Sequence, residues 1–116
     1  MVKKILVVED NEELRMLMEI ALESEGFRVE SAPNGLEALN LLKEASAPDL
    51  ILLDLMMPVM SGQEFIESRK QLPELNEIPL LVFSAAAENV PKGFPFLRKP
   101  VDLHHLLSEV QSLIAS

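Results

Sequence analysis

The chain has no cysteine. That removes disulfides, thiolate metal sites and a cysteine nucleophile, and it is compatible with a reducing compartment. Basic residues are scarce: 10 Lys and Arg stand against 19 Asp and Glu, for a formal net charge of −9. A surface built to hold nucleic-acid phosphates needs a basic field, so direct nucleic-acid binding is not expected. Long apolar runs are missing too. The N-terminal Ile5-Leu6-Val7-Val8 is too short for a signal peptide or a membrane span and runs into Glu9 and Asp10, so a cytoplasmic protein that does not enter a membrane is the expectation. No glycine-rich turn follows that run. Glu9-Asp10-Asn11-Glu12 stands where a nucleotide-binding α/β enzyme puts its glycines, and it would repel phosphates without a metal. There is no repeat, linker or low-complexity tract. With 116 residues, 48% of them hydrophobic, the chain fits one domain spanning 1–116, able to bury roughly two-thirds of its unfolded surface.

What is present alternates between two periods. Residues 4–8 read as a strand, and Asn11 can cap a helix whose Leu14, Leu17, Met18, Ala21 and Leu22 recur at helical spacing. Gly26 closes that helix, 27–31 read as a short strand, and Pro33-Asn34-Gly35 turns into a second helix with Ala38, Leu41, Leu42 and Ala45 on one face. Pro48 ends it. Residues 49–54 are a solid aliphatic run delivered into Asp54, the pattern of a strand buried on both faces. Ser61 can cap a third helix running to about Gln71, with Phe65, Arg69 and Leu72 on one face and Pro73 as its stop. Residues 79–84 form another solid run, ending at Ser84. The stretch 85–93 has room for one helical turn at most, because Pro91, Gly93 and Pro95 disfavour more. A short edge strand is expected over 94–97, then a turn at Lys99-Pro100. Asp102 caps a last helix with Leu103, Leu106, Leu107, Val110 and Ile114 as its buried stripe.

Strands alternating with helices imply a parallel sheet with helices on both faces, and open sheets of this kind place their chemistry at the carboxyl ends of the strands. That rim should gather Glu9, Asp10, Asp54, Ser84 and Lys99. Three carboxylates together repel one another unless a cation neutralises them, and oxygen ligands suit Mg²⁺. An ammonium and a hydroxyl aimed at the same point complete a site shaped for a phosphoryl group, with Asp54 as candidate nucleophile.

At these residues the chain resembles the response-regulator receiver domains of two-component signalling. The pair Glu9-Asp10, Asp54 in Leu53-Asp54-Leu55-Met56-Met57-Pro58, then Gly62, Ser84-Ala85 and Lys99-Pro100 fall in that family's order over nearly the whole chain. Each is weak singly; together they are specific. The resemblance implies a doubly wound five-stranded parallel sheet in the order 2-1-3-4-5, flavodoxin-like. It implies that Asp54 takes a phosphoryl group from a histidine kinase or phosphotransfer protein and signals to a downstream protein. Mg²⁺ would be held by Asp10, Asp54 and the carbonyl of Met56, with Glu9 acting through water. Ser84 and Lys99 would contact the phosphoryl oxygens, Ser84 and Phe96 would form the switch, and the bond before Pro100 would be cis. Catalysis would be limited to the chain's own phosphoryl transfer and slow dephosphorylation, since Met56 and Ala86, which influence hydrolysis in the family, cannot hold a water.

The interval from Ser84 to Lys99 is shorter than the family's usual one, so the family's fourth helix should be short or absent, as in a subset of stand-alone receivers. With no output domain in the sequence, the chain either relays a signal by itself or is cut from a longer protein. Each feature also has a blander reading: taken alone, Ser84 could merely finish a strand and Lys99 could be a solvated lysine. Glu9 and Asp10 alone could be helix-start acids favoured by the macrodipole, and Phe96 could be a plain core residue. His104 and His105 are adjacent on a helix and point in different directions, so they read as exposed and inert. Met16 and Ile20 lie off the main stripe of the first helix and read as partly buried rather than as a docking patch. A phospho-aspartyl hydrolase would carry its nucleophile on the first strand. The chief alternative function is an unphosphorylated interaction module on the same fold, which a Mg²⁺ titration would distinguish.

Overall fold

The computed structural model describes residues 2–44, 46–57, 59–85 and 90–115. Strand β1 (Lys4–Val8) leads into α1 (Glu12–Ser24), β2 (Arg28–Ala32), α2 (Gly35–Glu44) and β3 (Leu50–Asp54). Then come α3 (Gly62–Arg69), α4 (Pro73–Asn76), β4 (Leu80–Ser84), β5 (Phe96–Arg98) and α5 (Leu103–Ala115). All strand pairs are parallel and the sheet order is β2-β1-β3-β4-β5. This is the doubly wound arrangement the alternation implies.

The burial of each strand explains its place in that order. Every residue of β3 and β4 is buried, and these strands sit inside the sheet, covered on both faces. Leu50, Ile51, Leu52 and Leu53 are each 0% exposed, worth about 1.5–3 kcal/mol apiece in apolar burial. Successive side chains alternate between two cores. Ile51 and Leu53 join Leu6, Val8, Ala38, Leu42, Phe65 and Val82 on the α2–α3 side. Leu50 and Leu52 join Ile5, Val7, Met18, Phe83, Leu106 and Val110 on the α1–α5 side. Edge strand β2 is only partly covered.

Caps fix where helices start. Asn11 accepts the Leu14 N–H at 2.9 Å, and Asp102 accepts the His104 N–H at 2.9 Å. Ser61 and Glu64 form a reciprocal capping box on α3. Asn34, read as part of a turn, also caps α2 by accepting the Glu37 N–H at 2.9 Å.

Several boundaries differ from the sequence reading. β2 is shifted by one residue, because its pairing with β1 runs from Lys4↔Arg28 to Val8↔Ala32. Leu17 is exposed rather than buried, since the covered stripe of α1 centres on Met18 and Leu22. On α2 the buried positions include Leu39, while Leu41 is only partly covered. The helix α3 stops at Arg69, and Pro73 opens a further turn of helix, α4, because a proline's missing N–H costs nothing at a first helical position. β5 begins at Phe96 rather than 94: Pro95 contributes only its carbonyl, which accepts the Val82 N–H at 3.0 Å. The one helical turn allowed after Ser84 falls mainly on residues 86–89, which lie outside the described residues, as does Ala45. Residues 85 and 90–95 carry no helix. No described helix is long and apolar enough to cross a membrane.

Candidate functional site

Three strands end at one rim. Glu9 directly follows β1 and its N–H donates to the Ala32 carbonyl at 3.1 Å, while its own carbonyl accepts Arg15 Nη1 at 2.9 Å. Asp54 is the last residue of β3, paired in register with Phe83 of β4. Lys99 follows β5, and its N–H donates to the Ser84 carbonyl at 2.9 Å, so the end of β4 sets where the lysine starts.

Their side chains meet. Lys99 Nζ donates to Asp54 Oδ2 at 3.0 Å and to Glu9 Oε1 at 3.2 Å. It also lies 5.6 Å from the centre of the Phe83 ring, within cation–π range. The other carboxylate oxygens are held by backbone: Met56 N–H donates to Asp54 Oδ1 at 3.1 Å, and Asp10 N–H to Glu9 Oε2 at 3.0 Å. Glu9, Asp54 and Ser84 are 0% exposed, whereas Asp10 is open to solvent. One ammonium therefore faces two fully buried carboxylates, with a third at the lip.

The charge balance shows in the proton affinities. Burial, then the hydrogen bond to Asp54 and its charge, pushes the Glu9 carboxyl up to about 8, with Lys99 pulling against the rise. Burial pulls the Lys99 ammonium down, but its bonds and charge pairing with Asp54 and Glu9 outweigh that and hold it above the usual lysine value.

Carboxylate oxygens of Glu9, Asp10 and Asp54 lie within 4.8 Å of one another. Because these side-chain donors are all oxygen and under-neutralised, the cluster fits a hard divalent cation such as Mg²⁺ better than a softer metal.

The remaining residues singled out from sequence take the following places. Ser84 ends β4 and Phe96 starts β5, half-buried and in register with Val82. Ser84, two positions beyond Val82, shares that face of the sheet with Phe96. The Lys99–Pro100 peptide is cis. Met56 is 60% exposed beside Asp54, and Ala86 lies outside the described residues. His104 and His105 are exposed and away from the rim; His105 Nε2 lies 3.5 Å from Glu109 Oε1. Met16 and Ile20 are exposed. Sequence reasoning missed Arg15, which fixes the Glu9 backbone, and Phe83, which floors the lysine. Arg15 carried a weak signal, as a lone base among the acids opening α1.

A family model for the response regulator receiver domain matches residues 5–111. The transcriptional regulatory protein CpxR homolog of Haemophilus influenzae is 35% identical over 96% of this chain and 50% of its own length. The polar-differentiation response regulator DivK of Brucella anthropi is 33% identical over 98% of each chain. Among solved structures, chemotaxis protein CheY4 of Vibrio cholerae matches with a TM-score of 0.87 at 28% identity, covering 97% of this chain and 99% of that one. The chain thus spans about half the length of the CpxR homolog and nearly all of DivK.

Proposed function

Because the chain belongs to the response regulator receiver domain family of two-component systems, we propose that it is a phosphorylation-dependent switch in which Asp54 accepts a phosphoryl group. The donor is a phosphohistidine on a histidine kinase or phosphotransfer protein, and the reaction depends on Mg²⁺. The observation that carries this reading is the convergence of Glu9, Asp54 and Lys99 within hydrogen-bond reach at one rim.

Asp10, Asp54 and the backbone carbonyl of Met56 would hold the ion, with Glu9 acting through a water. Bound there, Mg²⁺ supplies charge neutralisation for the carboxylates and for the oxygens of the transferring group. The other steps belong to the chain. Asp54 is fully buried beneath Lys99, so the lysine must exchange its two carboxylate partners for phosphoryl oxygens before transfer. Met56 N–H pins Oδ1, which leaves Oδ2, on the lysine side, as the attacking oxygen. An O–P bond forms to Asp54, the N–P bond of the donor breaks, and the released imidazole nitrogen keeps the bond's electron pair and takes its proton from solvent.

The Ser84 hydroxyl then donates to a phosphoryl oxygen and moves inward. The space it leaves lets Phe96 rotate toward the core, and a downstream protein reads the altered surface. Return is by water attack on the acyl phosphate, slow because the Met56 side chain offers no group to orient that water.

The test is incubation with a small acyl phosphate and Mg²⁺, followed by mass spectrometry. One added phosphoryl is expected on the wild type and none on Asp54→Asn. Equal labelling of the two proteins would falsify the assignment.

A further inference from the structure

We infer that Gly35 and Met60 are a positioning pair for the loop between β3 and α3, and so for the Met56 carbonyl expected to ligate the ion. The inference rests on the metal reading given above.

Gly35 is the first residue of α2 and is buried. A Cβ at Gly35 would lie 2.9 Å from both Cγ and Sδ of Met60, and 3.1 Å from its Cβ. The absence of a side chain at the start of α2 is therefore what gives Met60 its seat. Met60 packs there against the core on the α2–α3 side.

The loop needs such an anchor. Val59, next to Met60, has φ +70, a left-handed conformation that a β-branched residue adopts only when its surroundings impose it. Its own side chain is 74% exposed and cannot supply the constraint. At the base, Gly62 N–H donates to the Leu55 carbonyl at 2.9 Å, closing the loop, and a Cβ at Gly62 would lie 2.6 Å from the Leu55 Cα. Between base and anchor lies Met56, whose N–H reaches Asp54 Oδ1. Met60 in its seat on Gly35 thus anchors one end of the loop, at whose other end the Met56 N–H reaches Asp54 Oδ1 and the Met56 carbonyl would face the ion.

The strain makes the inference testable by rescue. Met60→Ala should let Val59 relax, move the Met56 carbonyl and weaken Mg²⁺ binding by about tenfold, the lower end of what outer partners of a metal site contribute. Gly35→Ala should weaken binding in the same direction but by less, since the Met60 Cγ and Sδ it crowds belong to a flexible side chain that can shift. Glycine adopts positive φ freely, so Val59→Gly in the Met60→Ala background should return the affinity to near the wild-type value, and Val59→Gly alone should leave it unchanged. Two readouts are used on the full chain: Mg²⁺ affinity by calorimetry, and the Met56 amide resonance without metal, which should move in Met60→Ala and return in the double variant. Wild-type affinity in Met60→Ala, or failure of Val59→Gly to restore it, overturns the inference and leaves the metal reading standing. No Mg²⁺ binding to the wild type at millimolar concentration overturns both.

Discussion

Lys99 Nζ lies 3.0 Å from Asp54 Oδ2 while also donating to Glu9, so one ammonium is shared by two carboxylates buried at the ends of different strands. The sharing has opposite consequences for the two proposed ligands. A divalent cation on the acid cluster has to compete with this ammonium, whereas a phosphoryl group needs it. Lys99→Met should therefore bind Mg²⁺ at least as tightly as the wild type, yet label with acyl phosphate more slowly by on the order of 100-fold, the usual cost of removing one donor from a developing charge. Calorimetry and labelling kinetics on the same protein check both halves. Parallel loss of both would mean that the lysine merely holds the site together.

The Glu9 carboxyl carries the pH dependence. Its value is raised from 4.5 to about 8 by burial and by Asp54. A group with a raised folded value stabilises most below its unfolded value, and that contribution is lost as pH climbs through the folded one. Metal-free protein should accordingly become less stable between 4.5 and about 8, seen as a falling urea midpoint. Lys99 is also raised, so its contribution is lost only above the ordinary lysine range and does not cancel this trend. Because the proton on Glu9 competes with a cation, Mg²⁺ affinity should rise across the same interval by up to about tenfold per pH unit. Glu9→Gln should flatten both curves.

Arg69 is a buried cation that serves the fold rather than the site. It is 4% exposed, its Nη1 donates to the carbonyls of Ile78 at 2.6 Å and Leu75 at 3.3 Å, and burial lowers its proton affinity. The guanidinium thus holds the chain around α4 onto the end of α3. Arg69→Met keeps most of the stem volume but strands the two carbonyls, costing about 1–3 kcal/mol. Arg69→Ala adds a cavity and should cost about 2 kcal/mol more. Urea unfolding should separate the two variants, and acyl-phosphate labelling of Asp54 should persist in both under folding conditions.

The legible parts of this fold are those where one physical rule dominates. β1, β3 and β4 are solid apolar runs that end on Glu9, Asp54 and Ser84, and a parallel sheet brings such ends to one rim whatever the helices do. β2 slipped by one residue because it is half-covered and its pattern is weak. Pro73 read as a stop because a proline ends a helix, but the same missing N–H lets it begin one. Leu17 fits the helical spacing of α1, and spacing does not say which part of a stripe the sheet covers. In the site, Glu9, Asp54 and Lys99 were legible through topology. Arg15, Phe83 and the contact of Gly35 with Met60 were not, since each depends on how far a side chain reaches across elements.

Ser84 and Phe96 share a face on neighbouring strands, with Phe96 half-buried in this state. If the proposed switch operates, the Ser84 hydroxyl is the part that senses the phosphoryl group, and the ring of Phe96 is the part that responds. The two roles separate in a variant. Ser84→Ala removes the donor but leaves Asp54, the acids and Lys99 in place, so labelling of Asp54 should continue, slowed by roughly 10- to 100-fold for one lost hydrogen bond to a charged oxygen. What should vanish is the response: with 4-fluorophenylalanine incorporated, the Phe96 resonance should shift on phosphorylation of the wild type and stay fixed in Ser84→Ala. Five phenylalanines are present, and Phe96→Leu identifies the signal by its disappearance. A Phe96 shift of equal size in both proteins would show that the ring responds to the phosphoryl group by a route that does not pass through Ser84.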